Sequence, residues 1–412
     1  MKSTSVFQKR TCKSLIGSVA WPFSVIFIFS LACWNIASSS GVSRMKLSSD
    51  VGIPPSTSLV TPKGVLQQMW GELGTYNAND VSNTAPPRFV TNYLTRRIKE
   101  SYMDIEAAVH ISAQKDKLDN LLVCLEHWGG PASVAAYISS EEDIAELEAF
   151  LRKNRDGPLA RTSLHVVLER SFDQSNKPFY PHNMLRNLAF EQVVGDYFLA
   201  LDGDLIPGSN TYKDMLDLLY SNTLDNTTSV REMLQRRQLF VLPAFEVFSK
   251  NDMNRSFKKM VPKSRDDLLT MVRGHHPYAK AQMFHVTDYK PSQQATNFTR
   301  WVNNASTEKS DNLPHYEIQY ENGFEPYVLA YKPGIPRYWE PFRGFYFNKV
   351  SWFKELHRAG YKFHVLCDCF VVHLNHELIP NKKKFKMLVA NKKRLGKFAE
   401  YLDRRYPETK EQ

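Results

Sequence analysis

Two carboxylates, Asp202 and Asp204, stand at the end of an apolar run, 197–201, with one glycine between them. On an extended backbone the spacing i, i+2 places both side chains on the same side of the chain. Ligands of open α/β sheets bind outside the carboxyl ends of the strands. Two hard oxygen ligands at such an end can hold Mn²⁺ or Mg²⁺, and the metal can hold a diphosphate. Because Asp and Gly are also common in ordinary turns, the tripeptide needs support from its neighbours.

The helix predicted before this strand begins with polar side chains that suit a nucleotide. Arg186 can bind phosphate through its fork of donors, and Asn187 can bind ribose or base. The alternative is a capped helix whose arginine lies on the surface. Next to the two carboxylates, the pair favours a nucleotide site.

An aromatic loop with a single glycine, 338–349, carries one acid, Glu340. Catalytic residues often lie in loops on a rigid sheet, and aromatic faces are natural platforms for sugar rings. Glu340 can therefore serve as a general base. An exposed glutamate in a turn is the alternative. Glu325, a second acid in an aromatic segment, is the next candidate for the base.

A histidine, His373, lies at the end of an apolar run that begins at Cys369, and it can be a further ligand of a metal held by Asp204. A single histidine at a strand end is more often a satisfied core residue. A zinc site is disfavoured for the set Cys367, Cys369, His373 and His376. The C-x-C spacing departs from the usual C-x₂₋₄-C, and strand alternation sends the cysteines and His376 to different faces.

The elements that must position these residues alternate between strand and helix from about residue 100. Short apolar runs predict strands at 105–111, 132–138, 163–168 and 196–202. Helical periodicity predicts helices at 117–128, 141–152 and 183–194. Repeated β-α units indicate one α/β domain with a mostly parallel central sheet and flanking helices. Later patterns predict strands at 238–248, 361–366 and 369–374, and helices at 347–359 and, in a basic tail, 381–403.

The net charge of +10 is concentrated at the two ends of the chain. Residues 1–49 carry six Lys or Arg and no acid, and residues 381–412 carry eleven Lys or Arg against four Asp or Glu. A nucleic-acid binder is expected to have basic density across a folded face. We therefore expect no nucleic-acid partner.

The N-terminal region predicts a membrane anchor. Basic residues precede an apolar stretch, 15–37, whose length is close to the ~20 residues needed to cross a bilayer. Basic residues on the N-terminal side favour a cytoplasmic tail, 1–14, and a luminal body. A cleaved signal peptide is the alternative, because small residues follow at 37–40. The stretch is longer than a usual signal-peptide core, which favours the anchor.

Composition indicates the remaining boundaries. Residues 38–88 are rich in Ser, Thr, Pro, Gly and Asn, which predicts a stem before a folded domain at 89–405 and a tail at 406–412. A luminal chain also suits the N-glycosylation sequons at Asn226, Asn254, Asn297 and Asn304. Three cysteines follow the anchor and allow at most one disulfide, so the core must hold the fold together.

The candidate segments belong to a longer ordered series between about residues 103 and 380. In chain order the series is Y-P-x-N-x-L-R-N-x-A (180–189), D-x-D-x-x-P (202–207), P-A-F-E (243–246), T-N-F-x-R-W (296–301), F-E-P-Y-V (324–328), F-R-G-F-x-F-N-K (342–349) and F-V-V-H (370–373). This order resembles glycosyltransferase family 49, the LARGE-like and β-1,4-glucuronyltransferase family, in a form with a single catalytic domain.

The resemblance implies a GT-A fold, a UDP-sugar donor, a glycan or glycoprotein acceptor, and Mn²⁺ or Mg²⁺ as cofactor. It also implies an inverting transfer, in which the sugar can be glucuronic acid, by a type II enzyme of the Golgi membrane. Matched by position, Asp202, Asp204 and His373 fall on the family's metal-binding residues. Arg186 and Asn187 fall on its nucleotide-side motif, and Asp202 is also expected to hold ribose or a metal-bound water.

The loop that carries Glu340 departs from the family pattern. The family's Y-D-E-R-F corresponds here to Tyr338-Trp339-Glu340-Pro341-Phe342, and Tyr346 replaces a usual glycine. By this match Glu340 is the expected base. Arg343 or Lys349 is expected to bind the carboxylate of a glucuronate donor.

The altered loop leaves a second class of function open, a catalytically silent GT-A domain that acts as a glycan-binding or chaperone partner. The intact Asp202, Asp204 and His373 favour the enzyme. A metal-dependent phosphodiesterase would require more His and Asp ligands than this site offers.

Overall fold

The structure, a computed structural model, describes residues 64–74, 86–96, 104–171, 177–220, 228–250, 260–286, 289–303, 314–374 and 380–409. The predicted cytoplasmic tail, 1–14, and the predicted anchor, 15–37, lie outside the described residues. Within the described ranges no helix combines the length and the apolar character needed to cross a membrane.

Two sheets form the centre of the described part of the chain. The strands, in chain order, are β1 (Arg88–Leu94), β2 (Ile105–Ser112), β3 (Ala132–Ile138), β4 (Thr162–Leu168), β5 (Tyr197–Asp202), β6 (Leu205–Pro207), β7 (Gln238–Leu242), β8 (Ala244–Ser249), β9 (Ala279–Met283), β10 (His315–Ile318), β11 (Tyr327–Tyr331), β12 (Lys362–Leu366) and β13 (Val371–His373). The larger sheet has the order β1-β4-β3-β2-β5-β11-β7-β12-β10, and the smaller sheet has the order β6-β13-β8-β9.

The helices flank these sheets. In chain order they are α1 (Val65–Gly74), α2 (Lys115–Trp128), α3 (Glu141–Lys153), α4 (His182–Glu191), α5 (Thr211–Tyr220), α6 (Val230–Gln235), α7 (Arg265–Val272), α8 (Pro291–Gln294), α9 (Phe298–Asn303), α10 (Asn348–Arg358), α11 (Asn381–Lys392) and α12 (Leu395–Arg405). Local chemistry sets their ends: the Ser140 hydroxyl caps α3, and Gly129 ends α2 in the left-handed conformation, with φ 68°.

The larger sheet is mostly parallel. In the described residues β4, β3, β2, β5, β7 and β12 run in one direction, and β1, β11 and β10 run in the other. α2 connects β2 to β3, and α3 lies between β3 and β4, as parallel neighbours require crossover helices. This arrangement confirms the predicted α/β class with a large central sheet and flanking helices.

Both faces of the parallel strands are buried, which explains why these strands are apolar almost throughout. β2 shows the alternation: Ala107 and Val109 belong to one core, and Ala108 belongs to the core on the other face. Leu121 of α2 belongs to the first core, and Trp352 of α10 belongs to the second.

The run predicted as one strand at 238–248 is two strands in different sheets, separated by Pro243. Proline has no N–H to donate to a ladder, so a continuous central strand cannot pass through it. The Pro243 carbonyl instead accepts a hydrogen bond from the Val371 N–H at 2.9 Å. The chain thus moves from the larger sheet into the smaller one, where β8 pairs with the strand that carries His373.

The folded unit begins before residue 89, inside the predicted stem. The apolar side chains of α1, Leu66, Trp70 and Leu73, are buried in the core. Arg170 donates to the Trp70 carbonyl at 3.0 Å, and its guanidinium lies 5.3 Å from the centre of the Trp70 ring. Because residues 38–88 are rich in Ser, Thr and Pro, the sequence predicted a stem there and not this helix, which belongs to the domain.

We expect Trp70→Ala to destabilise the domain by about 3–5 kcal/mol, because it removes a large buried ring and leaves a cavity. Gln68→Ala, on the exposed side of the same helix, should change stability by less than about 0.5 kcal/mol. Urea unfolding of both variants measures the difference. Equal stability of the two variants would show that α1 is a dispensable part of a linker.

Candidate active site

Asp202 is the last residue of β5, and its carboxylate collects donors from several neighbouring elements. Arg186 of α4 donates to Oδ1 from Nη2 at 2.8 Å and from Nε at 3.3 Å. His110, its register partner on β2, places Nε2 2.8 Å from the same oxygen. Tyr327 donates its hydroxyl to Oδ2 at 3.1 Å, and Lys349 donates to Oδ2 at 3.2 Å. The four residues thus engage both oxygens of the carboxylate.

The charges around Asp202 keep this carboxylate ionised. Burial raises the pKa of Asp202, but the Arg186 and Lys349 cations outweigh burial and hold it well below its usual range. Burial lowers the pKa of His110, so its ring is neutral at pH 7. The Asp202 side chain is 20% exposed, whereas the Arg186 and Lys349 side chains are each 8% exposed. The two cations therefore depend on this carboxylate for their compensation.

Asp204 lies two residues further on, where the chain enters the smaller sheet. Its Oδ2 is 3.6 Å from Nε2 of His373 on β13. The Asp204 carbonyl accepts a hydrogen bond from the Leu374 N–H at 2.9 Å, which fixes the pair of strands. Gly203 between the two acids is required sterically, since a Cβ there would lie 2.2 Å from Ile111 Cδ1.

The predicted metal ligands fit a divalent cation only in part. Asp204 and His373 are close enough to bind one ion, since two ligands each ~2.1 Å from a metal lie about 3–4 Å apart. Asp202 already accepts hydrogen bonds from neighbouring side chains on both carboxylate oxygens, so direct ligation would compete with these donors, and its role as a metal ligand stays a prediction. Within the described ranges no group of three or more His, Cys, Asp or Glu could hold a metal ion. An ion here would need oxygen atoms from a bound phosphate or from water.

The zinc alternative gains no support from the described residues. Cys367 and Cys369 are buried, and neither forms a disulfide. His376 lies outside the described residues.

Arg186 and Asn187 are both engaged within the protein, and their role as nucleotide ligands stays a prediction. Besides Asp202, Arg186 donates to Oδ1 of Asn183 at 3.1 Å and to Oδ1 of Asn348 at 3.0 Å. Asn187 is fully buried and donates to the Tyr338 carbonyl at 2.9 Å, while it accepts from the Tyr338 N–H at 2.8 Å. Arg186 therefore positions Asp202, and Asn187 holds the aromatic loop.

Glu340 is bound within the protein, which argues against its prediction as the base. Its Oε1 accepts hydrogen bonds from Asn187 at 2.9 Å and from Arg337 at 2.7 Å. Arg337 also pairs with Glu191 of α4. The carboxylate closes an ion-pair network at the partly exposed end of the loop and does not line the cavity beside Asp202. The neighbouring Trp339 ring packs against Phe398, 5.3 Å between centres.

Arg343 and Lys349, the cations expected to bind a donor carboxylate, have different surroundings. Arg343 forms a bidentate ion pair with Glu169, in which Nη1 donates at 3.0 Å, and its Nε donates to the Phe179 carbonyl at 2.8 Å. All of its donor groups are thus engaged inside the fold. Lys349 lines the cavity beside Asp202, and its Nζ lies 3.8 Å from the centre of the Tyr327 ring. Lys349 is therefore the cation that faces the site.

Three residues of the site, His110, Tyr180 and Tyr327, were not among the predicted ones. The Tyr180 hydroxyl lies 3.2 Å from His110 Nδ1, so this tyrosine orients the ring beside Asp202. A usable signal was present in the sequence for His110. It lies near the end of an apolar strand, and parallel neighbours such as β2 and β5 end at the same edge of a sheet.

The central strand of this α/β domain ends in paired carboxylates beside buried cations. This arrangement is typical of proteins that bind ligands at the carboxyl edge of a sheet. The family model described as "Glycosyl-transferase for dystroglycan" matches residues 153–407, and the chain belongs to this family. The match covers α4, both carboxylates, the aromatic loop and His373.

The chain is also similar to curated glycosyltransferases. It is 30% identical to Xylosyl- and glucuronyltransferase LARGE2 of Rattus norvegicus over 261 residues, which is 63% of this chain and 33% of the relative. It is 28% identical to LARGE1 of Mus musculus and of Homo sapiens, in each case over 63% of this chain and 30% of the relative. The chain thus spans about a third of the length of these curated relatives.

Among solved structures, the crystal structure of S. aureus TarS 1-349 in complex with UDP-GlcNAc matches with a TM-score of 0.33 and 10% identity, covering 66% of this chain and 60% of that chain. The complex of TarS 1-349 with UDP matches with a TM-score of 0.33 and 10% identity, over 70% of this chain and 64% of that one. Similarity at this level says nothing about the ligand of this chain.

We expect Asp202→Asn to destabilise the domain by an amount on the order of 3–5 kcal/mol, because it leaves the Arg186 and Lys349 cations buried without a counter-charge. Asp204→Asn is the matched change two residues away. It should cost less than about 1 kcal/mol, because the Asp204 side chain is partly exposed and lies 3.6 Å from His373 Nε2, beyond hydrogen-bond distance. Urea unfolding at pH 7 compares the two. Similar losses in both variants would contradict the supporting role of Asp202.

Proposed function

We propose that the protein is an inverting glycosyltransferase that moves a sugar from a UDP-sugar to a glycan acceptor, with UDP-glucuronate as the first donor to test. The observation that carries the proposal is the Asp202-Gly203-Asp204 turn at the end of β5, with His373 beside Asp204 and two buried cations beside Asp202. The chain's membership of a glycosyltransferase family supports it. The names of the relatives, which include xylosyl- and glucuronyltransferase, make UDP-xylose the second donor to test.

In this proposal Asp204 and His373 are the residues that would hold a Mn²⁺ or Mg²⁺ ion, together with oxygen atoms of the donor diphosphate or of water. The separation of 3.6 Å between Oδ2 and Nε2 supports the assignment. When bound, such an ion neutralises the negative charge that develops on the leaving UDP. The coordination is of the kind in which the protein supplies few ligands and the substrate supplies the others.

The residues of the chain provide orientation around that charge. Asp202, fixed by four donors, presents a rigid negative edge that can orient ribose hydroxyls or water molecules bound to the ion. Lys349 lines the cavity at the same edge and can attract the negative charge of the donor, whether on the diphosphate or on a glucuronate carboxylate. The ion pair of Arg343 with Glu169 makes Lys349 the better candidate for this role.

The transfer itself requires a proton acceptor in addition to the donor site. The acceptor oxygen attacks the anomeric carbon from the face opposite UDP, and its proton must leave as the new bond forms. A carboxylate near Asp202 is the natural group for this step.

We further propose that the protein is a single-pass type II protein of the Golgi membrane with its catalytic domain in the lumen. The apolar stretch 15–37 behind a basic terminus supports this location.

Full-length protein should resist extraction by alkaline carbonate, and its N-glycosylation sequons should carry glycans. Both outcomes follow if an apolar segment of this length spans the bilayer with the body in the lumen. Membrane fractionation and endoglycosidase digestion measure them. A mature chain that begins near residues 38–41 would show that the stretch is a cleaved signal peptide.

Asp204→Ala and His373→Ala should each abolish the gain in UDP affinity that Mn²⁺ brings, because each variant removes one of two protein ligands. Asp217→Ala, an exposed aspartate of α5, is the control and should bind like the parent protein. Titration calorimetry with UDP, with and without Mn²⁺, provides the measurement. A variant at either ligand that binds UDP and Mn²⁺ as tightly as the parent would overturn the metal assignment.

Release of UDP from UDP-sugars in the presence of acceptor distinguishes the enzyme from a catalytically silent domain. We expect turnover with at least one UDP-sugar and a simple acceptor such as an aryl β-xyloside or aryl β-glucuronide. UDP binding without any turnover across the donor panel would favour the silent glycan-binding or chaperone partner.

A further inference from the structure

The segment that carries Glu325 is fixed by its backbone. The Glu325 N–H donates to the Ser292 carbonyl at 2.8 Å, and the Glu325 carbonyl accepts from the Gln293 side chain at 3.0 Å. Two residues earlier, Gly323 has a φ of +93°, and a Cβ there would lie 2.6 Å from the Tyr289 hydroxyl. The position of Glu325 is therefore set by the fold without the help of its carboxyl group.

This segment leads directly into the candidate active site. Pro326, the next residue, lines the cavity beside Asp202 together with Arg186 and Lys349. Tyr327 follows and donates its hydroxyl to Asp202 at 3.1 Å. Position 325 thus immediately precedes two residues that line the cavity, and the Glu325 carboxyl interacts electrostatically with Lys349, Arg186 and Asp202.

The carboxyl of Glu325 is available, unlike that of Glu340. Within the described part of the chain Glu325 makes no side-chain hydrogen bond and no ion pair, and it is partly exposed. Glu340 accepts two hydrogen bonds and belongs to an ion-pair network with Arg337. A general base must be able to receive a proton from substrate, and a carboxylate already held by an arginine is a weaker acceptor.

The electrostatic surroundings of Glu325 favour the same role. Burial raises its pKa, whereas the Lys349 and Arg186 cations lower it and the Asp202 carboxylate raises it, and the net effect is a raised pKa. A phenol, Tyr289, is the other titratable group that faces Glu325. A carboxylate with a raised pKa accepts a proton more readily than an ordinary one.

We propose that Glu325, rather than Glu340, is the general base that takes the proton of the acceptor hydroxyl. This inference rests on the proposed transferase function. The acceptor oxygen forms a bond to the anomeric carbon of the donor sugar while the bond from that carbon to the β-phosphate oxygen breaks. The bonding electron pair leaves with UDP, and the hydroxyl proton passes to a carboxylate oxygen of Glu325. The carboxyl group returns the proton to solvent before the next turnover.

The experiment compares UDP release by the full-length protein and by three glutamine variants, with the best UDP-sugar and acceptor of the parent. Glu325→Gln keeps the size of the side chain but cannot accept the proton, so kcat should fall by about 10²–10⁴-fold. UDP affinity in the presence of Mn²⁺ should stay within about twofold, because the base acts mainly in the transition state. Glu340→Gln should retain kcat within about tenfold, since it is a structural contact in this account. Glu321→Gln, an exposed acid of the same segment, is the matched control and should behave like the parent.

A chemical rescue tests the role independently of folding. In Glu325→Ala, added sodium formate should raise UDP release by at least about tenfold, because a small carboxylate can enter the vacated space and accept the proton. Formate should have no such effect on Glu340→Ala. Thermal unfolding of each variant confirms that the domain is intact.

Two results contradict the account, and they are distinguishable. If the parent is active and Glu325→Gln keeps its turnover, the assignment of the base is wrong and the proposed function stands. The same conclusion follows if formate rescues Glu340→Ala and not Glu325→Ala. A parent that binds UDP but releases none from any UDP-sugar contradicts the proposed function and the base with it.

Discussion

The buried ion-pair cluster around Asp202 is the constraint on which the rest of the site depends. Its carboxylate receives Arg186 from α4, His110 from β2, Tyr327 from β11 and Lys349 from α10. Each cation would be costly to bury alone, and the carboxylate would be costly to bury without them. The cluster therefore fixes the relative positions of two helices and three neighbouring strands at one edge of the sheet. Any ligand at this edge meets a preorganised surface.

The Asp202-Gly203-Asp204 turn joins the two sheets. β5 ends at Asp202 in the larger sheet, and β6 begins at Leu205 in the smaller one, where β13 brings His373 beside Asp204. The change of sheet takes two residues, Gly203 and Asp204, and a Cβ on Gly203 would lie 2.9 Å from the His110 carbonyl oxygen, so glycine suits this turn. This geometry gives the two aspartates different roles. Asp202 organises the protein side of the site, and Asp204 lies beside His373, where we propose that the ion binds.

The sequence was most informative where a local pattern carried the signal. Periodicity located β3 and α3 to within a residue, and the spacing of Asp202 and Asp204 identified the edge of the sheet. Side-chain partners could not be predicted in the same way, because the decisive ones are remote in the chain. Glu169 engages Arg343, and Asn187 engages the aromatic loop, over separations of 174 and 151 residues. Residue type alone suggested that Arg343 and Asn187 bind a ligand. In the fold both side chains bind other parts of the protein, because a buried polar side chain must find a hydrogen-bond partner.

The central claim is that a nucleotide diphosphate and a divalent ion bind at the edge formed by Asp204, His373 and Lys349. The most direct measurement is a crystal structure of the folded domain with UDP and Mn²⁺, with the ion located by its anomalous scattering. The account predicts one strong anomalous peak within about 2.5 Å of both Asp204 Oδ2 and His373 Nε2, with the diphosphate completing its coordination. UDP bound elsewhere on the domain, or an ion held without Asp204, would contradict it.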